Sequence, residues 1–113
     1  MLYLKVKDLL PKIWRMEQAE IIATLREHRE SLSRDGIEHL RLFGSKARGD
    51  DNPASDVDLI ADYHRGRKLT VFDKAGLEVE ISGLLKLRVD LCDNRMLKDE
   101  VRVRVEREAV LVF

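Results

Sequence analysis

The stretch that most narrows the choice of fold runs from Phe43 to Leu59. An apolar run ends in Gly44-Ser45, a polar loop follows, and Asp56-Val57-Asp58 opens a second apolar run. Ten residues separate Ser45 from Asp56. Successive side chains of a strand point to opposite faces. Val57, Leu59 and Ala61 therefore share one face of the second run, and Asp56 and Asp58 share the other. A later run, Arg88 to Cys92, repeats the pattern, with Val89 and Leu91 on one face and Asp90 opposite. If these strands are neighbours, helices cover the aliphatic face, and Asp56, Asp58 and Asp90 gather on a face that stays open.

The remaining segments supply that cover. Residues 1–12 have no clear assignment. From about Ile13 to Ser33, Trp14, Ile21, Ile22, Leu25 and Leu32 recur near helical spacing, and Asp35-Gly36 is a stop signal. Ile37 to Phe43 reads as a strand, with Leu40 and Leu42 on one side and His39 and Arg41 on the other. Ser45 to Arg48 begins a short helix that Gly49 ends, and Asp50, Asp51, Asn52 and Pro53 form a loop. Asp56 to Tyr63 is the second strand. Thr70 to Leu87 is a helix with Thr70 as N-cap and Leu77, Ile81, Leu84 and Leu85 on its buried side. The tail alternates like a strand at Val101, Val103 and Val105, but its Lys, Glu and Arg content favours helix over about Leu97 to Arg107. A last strand follows over Ala109 to Phe113.

With 113 residues, 44% of them hydrophobic, one domain over residues 1–113 with one core is expected, residues 1–12 being an extension. The 21 basic and 21 acidic residues cancel, which argues against direct nucleic-acid binding, because phosphate neutralisation usually shows as a basic excess. Cys92 is the single cysteine, so no internal disulfide forms, which suits a reducing compartment. Lys5, Lys7, Asp8, Pro11 and Lys12 interrupt the N-terminal apolar residues, leaving no membrane span. The expected location is the cytoplasm.

Asp56 and Asp58 lie roughly 7 Å apart along their strand. Without a cation they repel, and one tends to hold a proton. With Mg²⁺, repulsion becomes ligation by hard oxygen donors that leaves places for water and phosphates. Asp90 as a third carboxylate suits a two-metal site for in-line displacement, with Asp90 orienting or deprotonating the attacking hydroxyl. Glycine at position 44 lets the backbone approach a phosphate, the Ser45 hydroxyl can donate to one, and Lys46 and Arg48 add positive charge. Arg48 has a competing role, pairing with Asp50, Asp51 or a strand carboxylate to brace the loop.

Gly44-Ser45, the gap, Asp56-Val57-Asp58 and Asp90 in Arg-Val-Asp-Leu together resemble the nucleotidyltransferase superfamily related to DNA polymerase beta. The wording Leu-Phe-Gly-Ser-Lys-Ala-Arg-Gly, then Ser-Asp-Val-Asp-Leu, is especially similar to the minimal nucleotidyltransferases called MNT or MntA, over about Ile13 to Phe113. The resemblance implies an α+β fold: a small mixed sheet with helices on one face and an open acidic face. It also implies Mg²⁺, ATP as substrate, release of pyrophosphate, and an antitoxin that attaches AMP to a tyrosine of a partner HEPN-domain ribonuclease toxin in a hetero-oligomer. The chain has little length left for an acceptor pocket, which also suggests that the acceptor is a docking protein. The alternatives are a transferase for a small molecule or RNA acting with a partner subunit, and a non-catalytic antitoxin that masks its toxin by contact.

Other residues read as supporting parts. His28 is expected as solvated surface, and His39 as structural. His64, beside Arg65, Arg67 and Lys68, either touches a triphosphate or partner or is a solvated loop residue. Cys92 reads as a small filler near the site, Trp14 and Phe72 as core, and Asp93, Asp99 and Glu100 as solvated.

Overall fold

The computed structural model describes residues 18–49 and 55–113. Residues 1–17, Trp14 among them, and the Asp50 to Pro53 loop lie outside the described residues. The elements in order are α1 (Gln18–Glu27), α2 (Arg29–Arg34), β1 (Ile37–Phe43), the one-turn α3 (Ser45–Arg48), β2 (Val57–Tyr63), α4 (Val71–Leu85), β3 (Val89–Asp93), a 3₁₀ turn (Asn94–Met96), α5 (Asp99–Glu108) and β4 (Val110–Leu111). The four strands form one sheet in the order β3-β2-β1-β4. β1 is antiparallel to both its neighbours, and β2 and β3 are parallel. Parallel neighbours need a long crossover, and α4 supplies it.

One face of the sheet carries the core. Leu40, Leu42, Val57, Leu59, Ala61 and Leu91 meet Ile21, Leu25 and Leu32 from α1 and α2, and Leu77, Ile81 and Leu85 from α4. Ile37 is buried although its spacing from Leu40 breaks strict alternation. An irregularity in the β1–β2 pairing between Ile37 and His39 explains this, since an extra residue resets which face follows.

The expected helix over 13–33 is broken at His28. Its amide bonds the Leu25 carbonyl at 3.1 Å, and its own Nδ1–H takes the Thr24 carbonyl at 2.9 Å, the acceptor the amide would use in an unbroken helix. His28 is therefore half-buried and structural, not solvated surface. α4 starts as expected: Thr70 and Asp73 form a reciprocal capping box. Phe72, expected in the core, is 87% exposed. It follows the N-cap by two positions on the opposite side from Leu77, Ile81 and Leu85, where helical spacing leaves it outside.

Asp93 is not simply solvated. It caps the 3₁₀ turn by accepting from the Arg95 amide at 2.9 Å, and it pairs with the Arg95 guanidinium at 2.8 Å. Asp99 and Glu100 are exposed in the first turn of α5, as expected. The tail is helical over α5 as expected. Among the described residues no helix is long and apolar enough to cross a membrane.

The second face of the sheet is treated differently at its two sides. α5 lies over β1: Arg41 Nη1 is 3.4 Å from Glu106 Oε1, and the Arg104 guanidinium sits over the Phe43 ring, 5.6 Å from its centroid, within reach of a cation–π attraction. Ile60 and Val105 are buried on this side. Over the amino end of β2 and β3 the face stays open.

Candidate active site

Strand register brings the acidic residues together. Asp58 of β2 stands beside Phe43 of β1 on one side and Asp90 of β3 on the other. Neighbouring strands are about 5 Å apart, and equal parity puts both carboxylates on one face. Asp56 immediately precedes β2, with Oδ1 3.8 Å from Arg88 Nε. Burial pushes the Asp58 carboxyl above its ordinary range; the charges of Asp90 and then Asp56 push it further, and Arg48 pulls the other way. The three predicted carboxylates thus feel one another.

The Gly44-Ser45 turn closes over the same point. Gly44 has φ +77, and a Cβ placed there would fall on Asp58 Oδ2 and lie 3.3 Å from its Cγ. Only glycine serves twice here: its backbone takes the left-handed region, and it leaves room for the carboxylate. Ser45 to Arg48 form α3, whose end at Gly49 is left-handed with φ +79. Gln18 Nε2 donates to the Ala47 carbonyl at 2.8 Å and ties the start of α1 to this turn.

Lys46, expected to offer charge to a phosphate, is buried, with 2% of its surface exposed. Side chains three apart share a helix face, so Ser45 and Arg48 go together and Lys46 lies elsewhere. Arg48 is exposed and near Asp58. Of its expected competing partners, Asp50 and Asp51 lie outside the described residues and the strand carboxylate Asp58 feels its charge; Glu108 of α5 is a further neighbour, with Oε2 3.9 Å from Nη1. Glu108 and Arg104 are the site neighbours that sequence reading missed. Their i, i+4 spacing on a helix was visible, but nothing in the chain order tied it to residues 43–48.

His64 does not belong to this site. Its Nε2 donates to the Ser33 carbonyl at 3.1 Å and lies 2.9 Å from Ser33 Oγ. It follows the far end of β2, about 20 Å from Asp58 along the strand. Cys92 has Sγ 4.0 Å from Asp90 Oδ2, and burial pushes its thiol up, which fits a filler and not a thiolate nucleophile. His39 is exposed on β1.

The residues fit a magnesium–triphosphate group. Hard oxygen donors stand side by side with a glycine cradle against them. Among the described residues no three His, Cys, Asp or Glu side chains close into a complete cage. Mg²⁺ does not require one, since one or two carboxylates plus substrate phosphates commonly hold it.

Comparison with known proteins agrees with this geometry. Residues 25–112 match the nucleotidyltransferase domain family. The protein adenylyltransferase MntA of Thermococcus cleftensis is 37% identical over 94 residues, covering 82% of this chain and 93% of that one. The solved structure of a minimal nucleotidyltransferase superposes with a TM-score of 0.64 at 38% identity, over 84% of this chain and 95% of that chain. A chain from the complex of tri-AMPylated Shewanella oneidensis HEPN toxin with MNT antitoxin gives a TM-score of 0.56 at 20% identity, over 85% and 68%, a likeness of fold alone. This chain belongs to the nucleotidyltransferase family, among its minimal, MntA-type members.

Proposed function

We propose that this enzyme transfers AMP from ATP to a tyrosine of a partner HEPN-family ribonuclease toxin, and so serves as the antitoxin of the pair. The observation that carries the transfer chemistry is the packing of Gly44 against Asp58 beside Asp90. The protein acceptor is supported by the adenylyltransferase relative, which matches over most of both chains.

Gly44 and Ser45 bring backbone and hydroxyl to the triphosphate, and Arg48 adds charge at the same turn. Asp56, Asp58 and Asp90 would hold Mg²⁺, which when bound offsets phosphate charge and orients the leaving pyrophosphate. Asp90, exposed on the edge strand, accepts the proton of the tyrosine hydroxyl as its oxygen attacks the α-phosphorus. The new P–O bond forms to tyrosine, the bond to the bridging oxygen breaks, and that oxygen leaves with pyrophosphate. The open face over β2 and β3 leaves the approach to a docked protein.

The test is incubation with α-labelled ATP, Mg²⁺ and a HEPN partner. Label on a partner tyrosine, located by mass spectrometry and absent in Asp58→Ala and Asp90→Ala, is expected. Label on RNA or on a small molecule instead, or no transfer at all, overturns the reading.

A further inference from the structure

Among the described residues β3 is an edge strand of the sheet, and it is the strand that carries Asp90. The Val57 amide bonds the Arg88 carbonyl at 2.8 Å. Backbone groups along a parallel strand alternate in direction. Arg88, Asp90 and Cys92 therefore turn theirs to β2, and Val89, Leu91 and Asp93 turn theirs to the outer edge. At Leu91 that edge is capped by a side chain: the amide donates to Glu78 Oε2 of α4 at 2.8 Å. The carboxylate stands where the carbonyl of a further strand would stand. Lys74 Nζ lies 4.0 Å from the same oxygen. Beside the edge, Ala75, Val79 and Ser82 of α4 and Val89 of β3 line an open groove. Val79 is 73% exposed there.

We infer that the protein acceptor docks by strand addition: an extended segment of it pairs with the outer edge of β3 and replaces Glu78 at the Leu91 amide. The inference rests on the proposed transfer to a tyrosine and says how that hydroxyl arrives. A sheet edge presents a row of main-chain donors and acceptors that another extended chain matches. A strand added there lies about 5 Å from β3, with alternate side chains on the two faces. The residue opposite Asp90 falls on the open face, and a tyrosine in that place has the length to lay its hydroxyl over the Asp90 carboxylate. The residues before and after it point to the covered face, where the groove takes an apolar side chain against Val79 and Val89. Main-chain pairing supplies affinity, and the groove selects the segment. Glu78, once displaced, keeps Lys74 one helical turn away, so its charge is not stranded.

The test has two arms, both with the HEPN protein that takes the label. In the first, amide hydrogen exchange of the wild-type chain is followed with and without that protein. Exchange over residues 89–93 is expected to slow about 10-fold or more in the complex. In the second, the KM for the HEPN protein is measured for Val79→Arg, which fills the groove, and for Phe72→Arg, equally exposed on α4 but outside it. Val79→Arg is expected to raise KM about 10-fold, the loss of one good contact, and to leave the Kd of a non-hydrolysable ATP analogue unchanged; Phe72→Arg is expected to change neither. Unchanged exchange over 89–93 leaves Glu78 a cap for the edge and nothing more, and overturns the inference. So does a KM that Val79→Arg does not raise, or that Phe72→Arg raises as much. Slowing that appears on concentrating the chain alone assigns the edge to a second copy and also overturns it. Each of these results leaves the proposed function standing, whereas a wild-type chain that labels no protein overturns both.

Discussion

Gly44 and Asp58 show how little freedom single positions have at this site. A methyl group at position 44 meets the Asp58 carboxylate, and φ +77 strains any side chain. Gly44→Ala is expected to cost about 1–2 kcal/mol in urea unfolding and, by displacing Asp58, to lower kcat/KM at least about 100-fold. Asp58 itself holds its proton more tightly in the folded chain than in the unfolded one. Its contribution to stability is fully present below the ordinary value of 3.8 and is lost as pH rises through the raised folded value. At neutral pH with divalent cations chelated, Asp58→Asn should therefore be more stable than wild type, by about 0.5 kcal/mol or less once solvent screening of a half-buried group is allowed for. The gap should close toward pH 3, and denaturant midpoints across pH check this. The glycine, the serine and the acidic pair were legible in the sequence because their types and spacing are local. That Gly44 must stay bare for Asp58 was not, since it depends on β1 and β2 lying antiparallel with Phe43 opposite Asp58.

At the scale of elements, α4 is the best-read part of the chain, and it also holds the plainest misreading. Its N-cap is visible in Thr70 and Asp73, and Thr70→Ala is expected to cost about 1 kcal/mol by denaturant midpoint. The bonds from the Thr70 backbone and then its hydroxyl hold the Asp73 carboxyl below its ordinary range, so this part of the cap weakens as pH falls through that lowered value. Phe72, on the side of α4 opposite the core stripe, is solvent-facing, and Phe72→Ser should change stability by no more than about 0.5 kcal/mol. Ile81→Ala, from the buried stripe, should cost about 2–5 kcal/mol. Residue type misleads in one direction only: buried positions are apolar, but apolar residues are not all buried. The break at His28 was likewise hidden, because a helical pattern does not reveal that a side chain will take the carbonyl meant for its own amide.

For the whole molecule, the division between a covered and an open face decides what can approach. Asp56→Ala with Asp58→Ala is expected to abolish label transfer while leaving the melting temperature unchanged or higher and the proposed HEPN partner still bound on gel filtration. Toxin neutralisation that survives the double replacement would instead favour masking by contact. The sequence by itself determined what is local: strand alternation, the cap of α4, the small-residue turn, and the parity that sets Asp58 and Asp90 against the aliphatic face. Only the tertiary structure decided which distant parts meet. The parallel register set by α4 puts Asp90 beside Asp58, and packing turns Lys46 inward and lays α5 across β1 so that Glu108 reaches Arg48. The physical reason is that side-chain direction along an element follows from backbone geometry, whereas contacts between remote segments exist only once the pairing of strands and the burial of faces have been settled together.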